Sequence, residues 1–291
     1  MSLRAIRRAA ALAFVLALCI PRLWLLRLRG PHTLHRRALW GHATGRQMMA
    51  AMDIRYRVTG KLPQCGLLVS NHLSYLDILI YGAIVPCFFV SKAEISRWPF
   101  FGWMSKAGGT LYVNRSGRSN FARSGRASVE IVNQQIAARL SLPVMVLLFP
   151  EGTSTDGSKL LNFRSRLFTP AVVAGAPVIA AAIRYAANDD TPEREFCWYG
   201  DDEFLPHLIK VLSGPSITVE VHFGEPAVYT DRRTAAAATH AEVQAMREAV
   251  LRRPLEGRQS IAARIADGSA ATLRDSQSAN TNDIGRLNES F

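Results

Sequence analysis

The feature that most constrains this chain is an alternation that begins at Arg55 and continues to about Arg253. Short apolar runs recur there, separated by segments with helical spacing. The strand-like runs are residues 55–59, 66–70, 88–91, 110–113, 144–149, 178–185 and 216–223. Helical spacing is read over residues 75–83, 120–140, 166–174, 204–212 and 235–253. Strands alternating with helices predict an α/β domain with a mixed, largely parallel sheet flanked by helices. This domain is assigned to residues 55–253, and 291 residues accommodate it with extensions at both ends. After Pro254 the chain becomes polar and poor in large apolar residues, so residues 254–291 are expected to be a disordered tail.

Residues 1–54 differ in character. The first 60 residues hold eleven arginines and a single acid, Asp53, and so carry +10 of the formal +12. Nucleic acid and anionic lipid both suit such a basic end. The intervening residues favour lipid. Residues 9–20 are uncharged, and Pro21-Arg22-Leu23-Trp24-Leu25-Leu26-Arg27 follows. Those twelve uncharged residues reach about 18 Å as helix, short of the roughly 30 Å hydrocarbon core. Arg4, Arg7 and Arg8 on one side and Arg22, Arg27 and Arg29 on the other are then expected at headgroup level. That describes a monotopic or re-entrant anchor on the cytoplasmic face of the inner membrane. A signal peptide shares the basic start, but no small-x-small cleavage site follows this run. Residues 33–52 read as an amphipathic helix with arginines on one face.

Metal chemistry finds little support. Cys19, Cys65, Cys87 and Cys197 are widely scattered with no C-x-x-C pair, and read as small core thiols. His32, His35 and His42 lie close together without an acid or cysteine to join them, and read as residues near headgroups.

The segment Asn71-His72-Leu73-Ser74-Tyr75-Leu76-Asp77 carries more chemistry. It follows a buried-type strand and leads into a helix, the place where α/β sheets hold ligands. Residues five apart on one helix point about 140° away from each other. The imidazole therefore meets the carboxylate only if His72 precedes the helix and Asp77 lies in its first turn. Ser74 reads as the N-cap, making Asp77 the third helical residue. Two readings stand at this point. Ser-x-x-Asp is a variant of the capping box, in which Asp77 only satisfies helix-end amides. Alternatively, His72 is a general base for a hydroxyl, with Asp77 fixing its tautomer and stabilising the cation that forms. No Gly-x-Ser-x-Gly elbow occurs in the chain, which argues against an α/β-hydrolase. The attacking hydroxyl then belongs to the substrate.

Two later segments add to this. Gly108-Gly109-Thr110-Leu111-Tyr112-Val113-Asn114-Arg115 places an arginine at a strand end, where its planar fork suits phosphate. A plain surface arginine reads equally well there. In Phe149-Pro150-Glu151-Gly152-Thr153, an apolar strand stops at proline and a glutamate, a glycine and a hydroxyl occupy the turn. Glu151 is suited to bonding a polyol headgroup, to orienting Arg115, or to a simple turn. Gly152 lets a substrate approach the backbone.

Taken in order, four blocks resemble the glycerolipid acyltransferase family, which includes bacterial 1-acyl-sn-glycerol-3-phosphate acyltransferases. They are Asn71-His72-x-Ser74-x-x-Asp77, Gly109 to Arg115, Phe149 to Thr153, and Ala176-Pro177-Val178-Ile179. Lys92-Ala93-Glu94 and Trp98 to Trp103 also look like the family, and the likeness covers roughly residues 60–225. It implies transfer of a fatty acyl group from acyl-coenzyme A or acyl carrier protein to a lysolipid hydroxyl, with no cofactor and no metal. It makes His72 the base, Asp77 its partner and Arg115 a phosphate ligand. Asn71, Ser74, Glu151, Gly152 and Thr153 fall in the acceptor site. Asn114 departs from the family, standing where an acid is common. Residues 162–166 (Asn-Phe-Arg-Ser-Arg) also depart, replacing a lysine- and glycine-containing stretch. Lysophosphatidate is the first acceptor expected. The chain also looks like the ornithine-lipid branch, whose acceptor is a lyso-ornithine lipid. A non-catalytic basic lipid-binding module leaves the His72 and Glu151 blocks unexplained, and no nucleic-acid-binding pattern is recognisable. Phe88, Phe89, Trp98, Phe100, Phe101 and Trp103 read as an acyl groove, a bilayer contact or plain core.

Overall fold

The computed structural model describes residues 2–28, 33–97, 101–113, 133–187 and 191–251. Each of the seven strand-like runs forms a strand: β1 (Ile54–Thr59), β2 (Gly66–Ser70), β3 (Cys87–Lys92), β4 (Leu111–Val113), β5 (Met145–Leu148), β6 (Val178–Ala187) and β7 (Ile217–Phe223). They make one sheet in the order β1-β7-β6-β2-β5-β3-β4, parallel throughout except for the antiparallel pair β6–β7. The burial patterns explain the placement. β2 and β5 are buried at every residue, as central strands covered on both faces must be. In β7, buried residues alternate with half-buried ones.

The described helices are α1 (Leu3–Leu28), α2 (Leu34–Ala51), α3 (Leu76–Ile84), α4 (Phe101–Gly108), α5 (133–140), α6 (Thr169–Ala174), α7 (Phe204–Ser213) and α8 (Arg232–Leu251). They form two layers. Leu68 of β2 faces a core shared with α1, α2, α3 and α7, through Leu12, Met48, Ile80 and Leu212. Its neighbours Leu67 and Val69 point to the other side, toward Ile136 and Leu140 of α5, Ala171 of α6 and Ala235 of α8. The period-2 alternation of a strand thus fills both cores from one segment.

The N-terminus departs from expectation. α1 is 26 residues long and runs through Pro21, about 39 Å of helix rather than 18 Å. Arginine is a good helix former, so its clusters extend the helix instead of ending it. The stretch Leu3–Leu26 is long and apolar enough to cross a membrane. Its underside is nevertheless docked along its length, because Ala5, Arg8, Leu12, Cys19 and Leu23 are all buried. Arg8, expected at headgroup level, is instead a buried tie. It bonds Asp53 at 2.9 Å and the carbonyls of Leu212 and Gly214 at 3.3 and 2.9 Å. The lone acid of the basic N-terminus is the partner that holds α1 down. α2 lies close on α3, since a Cβ at Gly45 would come 3.3 Å from the Leu79 carbonyl oxygen.

Candidate active site

Two turns distant in sequence emerge side by side because their strands run parallel and in register. Val69 of β2 pairs with Leu148 of β5, and His72 and Glu151 each lie three residues further on. The His72 N–H donates to Glu151 Oε1 at 2.8 Å, and the Leu161 N–H donates to Oε2 at 2.9 Å. Both oxygens of this buried carboxylate therefore accept from backbone amides. Burial pushes the Glu151 carboxyl above its ordinary range, and the two amide bonds offset only part of that.

The His72 ring is held by two contacts and its backbone by a third. Its Nδ1 lies 2.7 Å from Asp77 Oδ2. Its face stacks on Phe149, with centroids 4.0 Å apart and planes 11° apart. Its carbonyl accepts the Thr155 N–H at 3.0 Å. An ionised carboxylate only accepts, so Nδ1 carries the ring proton and the Nε2 lone pair is the basic site. Among the described residues no side-chain hydroxyl or thiol hydrogen-bonds Nε2.

Asp77 is fully buried and makes the bonds that both readings call for. Besides the imidazole, Oδ2 accepts the Leu73 and Ser74 N–H groups at 2.7 and 3.0 Å. The other oxygen, Oδ1, accepts the Tyr185 hydroxyl. α3 is bounded at Leu76, with Asp77 its second residue, and Tyr75 ahead of it already has helical dihedrals, which keeps Ser74 and Asp77 at the expected capping-box spacing. Ser74 Oγ accepts only the Leu76 N–H, at 3.4 Å. The Ser74 N–H bond to Asp77 is the reciprocal half of that capping pair.

The other sequence candidates are distributed unevenly. Asn71 behaves like one more rung of the β2–β6 ladder: Oδ1 accepts the Ile183 N–H at 2.9 Å and Nδ2 donates to its carbonyl at 3.1 Å. Asn71 and Ser74 are both buried, and these polar groups are engaged within the protein. Gly152 has φ +82°, and a Cβ there would lie 2.8 Å from Arg164 Cζ. Glycine suits the left-handed turn, and the Arg164 guanidinium packs on it. Arg164 belongs to the 162–166 stretch that departs from the family pattern. Thr153 is exposed on the same turn. Arg115, Asn114 and residues 117–126 lie outside the described residues, as do Trp98 and Phe100.

Tyr185 is the site residue that sequence reading missed. Its only signal was a tyrosine at the end of an otherwise aliphatic strand. An apolar cavity of about 110 Å³ lies between α2, α3, β3 and α4, with Trp40, Met48, Ile78, Leu79, Phe89 and Met104 in its wall. Ile78 and Leu79, which follow Asp77 on α3, line it. Of the aromatic residues considered for an acyl groove, Phe89 lines it, Phe88 is core, and Trp103 sits edge-on to Trp40.

The acyltransferase family profile matches residues 54–184. The chain is 36% identical over 181 residues to the lyso-ornithine lipid O-acyltransferase of Pseudomonas aeruginosa, covering 62% of this chain and 66% of that protein. It is 33% identical over 219 residues to the 1-acyl-sn-glycerol-3-phosphate acyltransferase of Neisseria gonorrhoeae, covering 71% of this chain and 81% of that one. The crystal structure of the 1-acyl-sn-glycerophosphate acyltransferase from Thermotoga maritima shares the fold at a TM-score of 0.58 and 16% identity, over 87% of this chain and all of that one. The His72–Asp77 turn and the Glu151 turn both fall inside the matched region, and the chain belongs to the glycerolipid acyltransferase family.

Proposed function

We propose that this protein moves a fatty acyl group from acyl-coenzyme A or acyl carrier protein to the hydroxyl of a lysolipid at a membrane surface. The observation that carries the reading is the His72–Asp77 pair, 2.7 Å apart, with Nε2 left for a substrate proton. Nε2 takes the hydroxyl proton as that oxygen attacks the thioester carbonyl. Collapse of the tetrahedral adduct expels the thiolate, and the proton passes from Nε2 to sulfur, giving ester and free thiol. No electron is gained or lost, so the reaction needs no redox cofactor. Asp77 holds the imidazole and balances its transient charge. The apolar cavity between α2, α3, β3 and α4 suits a stretch of acyl chain.

Lysophosphatidate is the first acceptor proposed, with Arg115, Gly152 and Thr153 toward its headgroup. A lyso-ornithine lipid is the second, favoured by the Arg164 stretch and by the ornithine-lipid relative. Purified protein incubated with labelled acyl-coenzyme A or acyl carrier protein against both acceptors tests this. Ester formation on either supports the reaction class and assigns the acceptor. No ester with any pairing of donor and acceptor sinks the proposal.

We further propose that α1 lies flat on the cytoplasmic face of the inner membrane, among anionic lipids. Docked along its underside, it presents a lengthwise apolar face that includes Phe14 (66% exposed) and Trp24 (62%). α7 packs on α1 and adds Leu205 and Ile209, both exposed and one turn apart. Deleting α1 would also strip Asp53 of Arg8 and uncover the core that Leu12 packs into, so point changes are the cleaner test. The double variant Phe14→Glu/Trp24→Glu is expected to shift from the membrane to the soluble fraction while keeping turnover on detergent-dispersed substrate. Unchanged partitioning removes the anchor assignment.

A further inference from the structure

We propose that Tyr185 is a positioning residue for the transfer reaction: its hydroxyl occupies Asp77 Oδ1, so that Oδ2 alone addresses the His72 ring. This rests on the assignment of His72 as the base.

The four donors around Asp77 come from two places. His72, Leu73 and Ser74 belong to the turn after β2, and only Tyr185 reaches Asp77 from another strand. It therefore fixes the carboxylate relative to the sheet rather than to its own loop. Its own position is gripped firmly. The Tyr185 N–H donates to Glu193 Oε1 at 2.9 Å, and Arg247 of α8 clamps both oxygens of Glu193 at 2.8 and 2.9 Å. The same guanidinium bonds the Ile183 carbonyl at 2.8 Å, two residues before Tyr185 and opposite Asn71. The strand that carries the phenol is thus held on its β2 edge by the Asn71, Glu193 and Arg247 side chains and on its other edge by the β7 ladder.

The phenol is fitted to donate. It is buried, and burial together with the Asp77 charge pushes its hydroxyl well above the ordinary tyrosine range. It stays protonated at any working pH. A donor on a carboxylate disperses its charge and makes it a poorer base. The imidazolium formed during attack then keeps its Nδ1 proton, and Asp77 does not over-stabilise it. Without the phenol, Asp77 attracts the protonated ring more strongly, so the base is lost to protonation at higher pH.

The other titratable groups facing this cluster are Glu151 from the turn after β5, Tyr81 from α3, Glu193 and Cys197 around the Glu193–Glu195 turn, Arg247 from α8, and Asp156. Removing the Tyr185 hydroxyl changes none of them chemically, so a moved pH profile reports on Asp77 and His72.

The test compares kcat/KM against pH for wild type, Tyr185→Phe and protein carrying 3-fluorotyrosine at position 185, on detergent-dispersed substrates. The phenylalanine variant should lose turnover by about tenfold, the scale of one hydrogen bond to a charged group, and its acid limb should move to higher pH. Fluorotyrosine is a stronger donor of nearly the same shape, so its acid limb should move to lower pH with no change in melting temperature. Opposite displacements establish the role. Acid limbs that coincide with wild type overturn it, whatever happens to stability. If the phenylalanine variant fails to fold, the fluorotyrosine profile decides alone. A wild-type protein inert toward every donor and acceptor overturns the transfer reading and this assignment with it, whereas active wild type with unmoved limbs overturns only Tyr185.

Discussion

Replacing His72 with alanine is expected to abolish acyl transfer while leaving the fold and membrane partitioning intact. A positioned general base contributes about 10² to 10⁴ in rate, and among the described residues no second group is placed to take over. Glu151, the nearest other carboxylate, has both oxygens committed to amides. The fold should survive because Asp77 keeps three of its four donors, the Leu73 and Ser74 amides and the Tyr185 hydroxyl. The lost ring was itself partly exposed, at 18% of its side-chain surface, so water can enter rather than a dry cavity forming. Turnover in single-label assays, melting temperature and vesicle flotation check the three parts. Turnover within twofold of wild type would remove His72 from the chemistry.

The pairing of His72 with Asp77 was legible in the sequence, but what holds the pair was not. The β-strands were legible because each is a short apolar run bounded by polar turns, and burial on both faces leaves β2 and β5 no alternative. α4 was not anticipated, since its aromatic residues and closing glycines look like a turn. His72, Asp77 and Glu151 were visible as chemistry-bearing residues at strand ends. The meeting of Glu151 with the His72 turn depends on the register Val69 to Leu148, which no local pattern encodes. The same holds for Tyr185, which lies 108 residues from Asp77 in the chain. The family resemblance placed Asn71 in the acceptor site; the adjacent strand β6 claims its amide instead. Arg8 shows a different limit. Eleven arginines and one aspartate at the N-terminus imply that some pair forms, and only packing selects which.

Glu151 admits a sharper test than its neighbours, because the sequence left it three roles and the structure favours one it did not foresee. The geometry makes it a brace between the His72 turn and Leu161 rather than a headgroup ligand. In Glu151→Gln the side chain keeps one acceptor where two are needed, so either the His72 or the Leu161 N–H faces an NH₂ group. Leaving one such donor unpaired costs about 1–3 kcal/mol. Against this, the substitution removes a buried charge. Because burial holds the Glu151 carboxyl above its ordinary range, the folded state binds that proton more tightly than the unfolded chain does. Stability from this group is then greatest below the ordinary glutamate value and falls as pH rises through the window up to the folded one. At neutral pH the two terms oppose, so the melting temperature should move little, and the variant should lack the wild-type slope across that window. Turnover has no such compensation. A base displaced by about 1 Å loses on the order of a hundredfold, and kcat is expected to fall by about 10- to 100-fold with KM for the acceptor nearly unchanged. A headgroup ligand would show the reverse, a raised KM at constant kcat. That result would return Glu151 to the acceptor site and leave the His72 turn without its brace.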